Sequence, residues 1–123
     1  MKITKIINMR RVLSPVFQEK MSPRLSYKIM KLISKTDEDE VFYNKNMAGI
    51  IRDCCVKGKD GKIEQSEGGY KIDPAKKADC EARIKELDET EAEDVEIKFT
   101  LDELSELKLS PRDMLILDDF IEE

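Results

Sequence analysis

Histidine and tryptophan are absent from this chain, and glycine, proline and cysteine are sparse, at 5, 4 and 3 copies. Without histidine, Ser–His and Cys–His dyads cannot be assembled within one chain, and zinc loses its usual nitrogen ligand. Cys54 and Cys55 are vicinal rather than two residues apart. With Cys80 they offer three sulfurs and no fourth ligand. No metal and no cofactor is expected, and the three thiols read as reduced, buried packing residues. No segment approaches the ~18–20 consecutive apolar residues of a bilayer span. Arg10 and Arg11 interrupt the apolar stretch Met1 to Leu13 where a signal peptide would be unbroken. No membrane association is expected, and the expected location is the cytoplasm. Neither GxxxxGK[ST] nor GxGxxG occurs, and turn chemistry accounts for Lys59-Asp60-Gly61-Lys62.

Charge is abundant. Of 123 residues, 40% are charged and 40% hydrophobic, which suits exposed helices on a modest core in a single domain spanning residues 1–123. The net charge of −5 is segregated. Residues 1–33 hold eight cations against Glu19 alone, a net of +7, which leaves −12 for the remainder. A basic head and an acidic body can attract each other within one molecule or between copies.

The prolines mark helix starts, each standing behind a residue able to cap: Ser14-Pro15, Ser22-Pro23, Asp73-Pro74 and Ser110-Pro111. In Met1 to Lys20 the apolar residues Ile3, Ile6, Ile7, Met9, Val12, Leu13, Val16 and Phe17 recur at helical steps. Pro15 either begins a new turn or kinks one longer helix. From Pro23 to Cys55 the apolar spacing is 4-3-4 twice, at Leu25, Ile29, Leu32, Thr36 and at Tyr43, Met47, Ile50, Cys54. One helix of about 50 Å is expected there, continuous or slightly bent through Asp37 to Glu40. Residues 56–72 read as a small β-hairpin or ordered loop at the tip of a helical hairpin. The return helix, from Pro74 to about Thr90, has a thin seam of Ala75, Cys80, Ile84 and Leu87 and half the length of its partner.

The rest of the long helix must find cover from the chain ends. Val95, Ile97 and Phe99 alternate with Glu96 and Lys98 as in a strand. Thr100 to Glu103 and Ser110 to Asp113 are capping boxes. Met114, Leu115, Leu117 and Phe120 are expected to pack with Val12, Val16 and Phe17. The expected fold is mainly α: a long antiparallel helical hairpin on a base formed by the N-terminal helix and a C-terminal strand and helix segment.

Two surfaces are candidate sites. Arg10, Arg11, Arg24, Tyr27, Lys28 and Lys31 form a basic patch, in which Arg24, Lys28 and Lys31 share one helix face and Tyr27 supplies a stacking ring. The alternative is a solvated or internally paired face. One interleaved aromatic and an acidic pI of about 5.0 argue against nucleic acid, whereas a small anionic ligand suits the patch. The second surface is Glu86, Asp88, Glu89, Glu91, Glu93 and Asp94. It lacks the alternating ligands and central glycine of a calcium loop and reads as a solvated helix end, or as a strip mimicking nucleic-acid phosphates.

Leu25-Ser26-Tyr27-Lys28-Ile29-Met30-Lys31, the Lys-Asp-Gly-Lys turn, Val95 to Phe99, and the closing Leu109-Ser110-Pro111 with residues 117–123 resemble a group of small uncharacterised proteins encoded by phages and prophages of Gram-positive bacteria. The resemblance spans nearly the whole chain. It implies a viral origin and no catalytic residue. A protein of this kind suggests a non-enzymatic binder that inhibits or sequesters a host component, either a defence-system effector or its nucleotide signal. Its partner would be a host protein or an anionic small-molecule signal. The alternative is a structural or tail-assembly accessory protein that forms a homo-oligomer.

Overall fold

A computed structural model describes residues 1–55, 65–66, 69–70 and 72–122. The chain is mainly helical and forms two compact units: Met1–Glu40 with Glu91–Glu123, and Val41–Thr90.

The first unit begins with α1, Ile3–Leu13, which buries Ile3, Ile6, Ile7, Met9 and Leu13. Ser14 then opens a separate 3-10 turn, Ser14–Gln18, so Pro15 starts a new turn rather than kinking a longer helix. Ser14 is not a cap. Its backbone is already helical, with φ −54 and ψ −45, and its hydroxyl makes no cap bond. Helix α2, Pro23–Cys54, runs on through the acidic residues 37–40. Ser22 does cap it, its Oγ accepting from the Leu25 N–H at 3.3 Å. Glu106 also holds Ser22, accepting from its N–H and hydroxyl at 2.8 and 2.7 Å.

The predicted core stripe Leu25, Ile29, Leu32 and Thr36 is buried. Leu25, Ile29 and Leu32 pack with Ile6, Met9, Leu13 and Val16 from the N-terminal segment and with Phe99, Leu104, Leu107, Leu117 and Phe120. Two expected members stay outside: Phe17 is 47% exposed and Leu115 78%. In a turn of three residues Val16 eclipses the buried Leu13, which points Phe17 away. Leu115 lies one step past the half-buried Met114, about 100° round the short helix α5, Pro111–Ile116.

The segment Val95 to Phe99 keeps its alternation. Phe99 is buried, Val95 and Ile97 half-buried, and Glu96 and Lys98 exposed. It is not a strand, because only Phe99 finds a backbone partner. The Phe99 N–H donates to Phe120 O at 2.7 Å, and the Glu122 N–H to Phe99 O at 2.8 Å, a single parallel bridge. Both capping boxes form. Thr100 and Glu103 open α4, Leu101–Leu104, and Ser110 and Asp113 open α5.

Part of the basic head is neutralised within this unit. The Met1 amine reaches Asp94 at 2.6 Å and Glu91 at 3.3 Å, Lys5 reaches Asp119 at 2.6 Å, and Lys28 reaches Glu103 at 2.7 Å. Glu103 is the most buried of these acids, at 8% exposure. The Lys28 ammonium and the Thr100 N–H hold its carboxyl below the ordinary 4.5. A depressed folded-state pKa stabilises the fold above the unfolded value and ceases to do so as pH falls through the folded one. Wild type and Glu103→Gln should therefore differ most in melting temperature near pH 7. The gap should close by about 3 °C as the pH is lowered from 6 to 3. A gap that stays constant over that range would show that Glu103 is not held as described.

In the second unit, residues 41–54 of α2 run antiparallel to α3, Lys77–Asp88. The Tyr43 hydroxyl donates to Asp88 at 2.7 Å, Arg83 pairs with Asp53 at 3.3 Å, and Cys54 contacts Cys80. Asp73 caps a 3-10 turn, Pro74–Lys76, ahead of α3. A two-residue ladder pairs β1, Gln65–Ser66, with β2, Gly69–Tyr70, and an isolated bridge joins Cys55 to Ile72. The predicted turn at residues 59–62 lies outside the described residues.

Candidate functional site

The six residues of the basic patch belong to one unit and have three different fates. Arg10 is turned inward. It falls three residues before Leu13 and four after Ile6, on the buried face of α1, and is 9% exposed. Its guanidinium donates to Ile33 O at 2.8 Å, Thr36 Oγ1 at 2.7 Å, Asp37 at 2.8 Å and Glu40 at 2.7 Å. Burial works against its charge and the two carboxylates outweigh it, so its pKa is raised. Arg10 thus fastens α1 to α2 and leaves no face for a ligand. Arg11 is exposed and lines a separate groove with Val12, Pro15, Glu19 and Lys108. Arg24 is exposed on the first turn of α2.

Tyr27, Lys28 and Lys31 do come together. With Lys35, Ile97 and Lys98 they line an open groove of about 590 Å³, whose rim also carries Glu96 and Glu122. Tyr27 is 57% exposed, and the Lys31 ammonium lies 5.6 Å from its ring centroid, a cation–π contact. Lys28 is fixed as a strut by Glu103 and by Lys98 O at 2.8 Å. The Lys98 ammonium donates to Asp119 O at 3.1 Å. Lys31 and Lys35 make no ion pair among the described residues. Sequence reasoning missed Lys35 and Lys98. Lys35 follows Lys28 and Lys31 at the same helical steps, so its signal was present; Lys98 could be read as the outward member of the Val95 to Phe99 alternation, but not as a neighbour of α2.

The acidic set is divided. Glu86, Asp88 and Glu89 belong to the second unit, where Asp88 accepts from Tyr43. Glu91, Glu93 and Asp94 belong to the first, where Glu91 and Asp94 hold the Met1 amine. The amine pulls the Asp94 carboxyl below its ordinary value. Asp39, in a groove with Glu38, Glu93 and Glu96, is raised by burial and then by Glu93 and Glu38. Among the described residues, no group of three or more His, Cys, Asp or Glu is arranged to hold a metal.

All three cysteines are buried. Burial raises the Cys80 thiol, aided by its hydrogen bond with Cys54, and burial also raises Cys55. Thiols raised in this way stay protonated near neutral pH and are poor nucleophiles. Sequence reasoning also passed over a shallow groove in the second unit, where Lys45, Arg52 and Arg83 surround the exposed Phe42.

Comparison with known protein families, with curated proteins and with solved structures finds no match to this chain.

Proposed function

We propose that the chain is a non-enzymatic binding protein of phage origin, acting in the host cytoplasm, that sequesters or blocks a host component through an anionic group. The Tyr27–Lys31–Lys35–Lys98 groove carries this reading. It combines an exposed ring with cations that are not consumed by carboxylates, while Lys5, Arg10 and Lys28 of the basic head are tied to carboxylates within the fold. The viral origin rests on the sequence resemblance alone. A host defence effector with an acidic surface and a nucleotide signal both present the required charge, the first to the lysines and the second also to the Tyr27 face.

Affinity capture from lysate of a Gram-positive host tests the proposal, with wild type compared against Lys31→Glu/Lys35→Glu. The expected result is a host component retained by wild type at low salt, released by salt, and lost by the double variant. Indistinguishable captures by the two proteins would refute the role of the groove. A thermal-shift panel of cyclic and linear nucleotides on the same two proteins reads the small-molecule arm.

A further inference from the structure

One face of α2 in the first unit lies exposed among the described residues, and of its stripe only Asp37 is ion-paired, to Arg10. Leu25, Ile29, Leu32 and Thr36 take the buried side. At about 100° per residue, the opposite side carries Pro23, Tyr27, Met30, Ser34 and Asp37, a second stripe with heptad-like spacing of 4-3-4-3. Solvent-facing helix positions normally hold charge, yet here Tyr27 is 57% exposed and Met30 52%. The apolar surface continues beside Met30 into a groove lined by Phe17, Met21, Ile29 and Ile33, where Phe17 is 47% exposed. Along one flank of the stripe the charges run in order: Arg24, then Lys31, then Glu38.

We propose that this face binds a second copy of the same chain, with the two α2 helices antiparallel about a two-fold axis. The order of charge identifies the occupant. Cations early and an anion late become self-complementary only when the helix is laid against itself in the opposite direction. Arg24 then faces Glu38 of the other copy, and the symmetry repeats the pair. In the same register Met30 lies over the small Ser34 of the other copy, and the Tyr27 hydroxyl faces its Asp37. A parallel arrangement would put the Arg24–Lys31–Glu38 flanks of the two copies on opposite sides of the seam, where no such pair forms. Lys31, near the axis, is drawn towards the Tyr27 ring at 5.6 Å and away from its symmetry mate. This surface shares Tyr27 and Lys31 with the groove assigned above, whereas Met30 and Glu38 lie outside that groove.

Sedimentation velocity with light scattering, over a concentration series, tests the proposal. The wild-type chain should approach twice its 14.2 kDa at high concentration. Met30→Glu should return it to 14.2 kDa with an unchanged circular dichroism spectrum. Arg24→Glu and Glu38→Arg should each weaken the dimer about tenfold. Combined in one chain, the two reversals should restore it, because the pair is re-formed with its signs exchanged. A wild type that stays monomeric throughout would overturn the proposal, even if a foreign protein is captured through Met30. So would a dimer indifferent to Met30→Glu, or a double reversal as weak as the single ones.

Discussion

Replacing Phe99 with alanine is expected to cost about 3–5 kcal/mol of folding stability. Its ring is fully buried among residues of α1, α2 and the C-terminal segment. Its backbone makes the bridge that ties Phe120 and Glu122 to the rest of the unit. Truncation leaves a ring-sized void at the point where these pieces meet, and surrounding side chains collapse into such a space only in part. For a domain whose total stability is about 5–15 kcal/mol, that loss leaves little margin. Leu115→Ala is the control. At 78% exposure it should change stability by no more than about 0.5 kcal/mol. Urea titration followed by circular dichroism measures both, and similar losses at the two sites would contradict the placement of Phe99.

Arg10→Met should destabilise by about 2–3 kcal/mol, equivalent to a melting temperature lower by about 10 °C. Methionine keeps most of the apolar stem and removes four directed hydrogen bonds. Of the groups left behind, Ile33 O sits within the helix, Thr36 Oγ1 is buried but retains its bond to Leu32 O at 2.9 Å, and Asp37 and Glu40 regain water. The cost therefore stays below that of stranding a fully buried charge. Arg10→Lys should recover only a small part, since one ammonium cannot reach four acceptors spread over Ile33 to Glu40. If Arg10 were instead a ligand-facing residue, Arg10→Met would leave the melting temperature unchanged.

The helical plan was legible in the sequence because caps and periodicity are local. Ser22, Asp73, Thr100 and Ser110 each accept the predicted bond, and the 4-3-4 stripes mark buried faces. Ser14 misled because a Ser-Pro pair states that a turn can begin there, whereas capping also needs an extended serine backbone, and that of Ser14 is already helical. Val95 to Phe99 misled because period-two burial needs only an extended chain on a core, whereas a strand also needs a neighbour with free hydrogen-bonding groups. The inward position of Arg10 depended on tertiary context, although its place between Ile6 and Leu13, and Thr36 on a core stripe beside Asp37 and Glu40, pointed that way. Helical spacing grouped Arg24, Lys28 and Lys31 on one face; Lys28 and Lys31 line the groove beside Tyr27, and Arg24 does not. Lys98 could not be added from spacing on α2, because a non-local fold brings it there.

The first unit is discontinuous, and this sets a timetable for synthesis. Its opening forty residues leave the ribosome with Ile6, Met9, Leu25 and Leu32 in place, but the Phe99, Leu117 and Phe120 that cover them are not yet translated. At roughly 5–20 residues per second, the stretch from Glu40 to Phe120 takes about 4–16 s. During that interval the nascent α1 and the first half of α2 present sticky surfaces to whatever is near, including another growing chain on the same messenger.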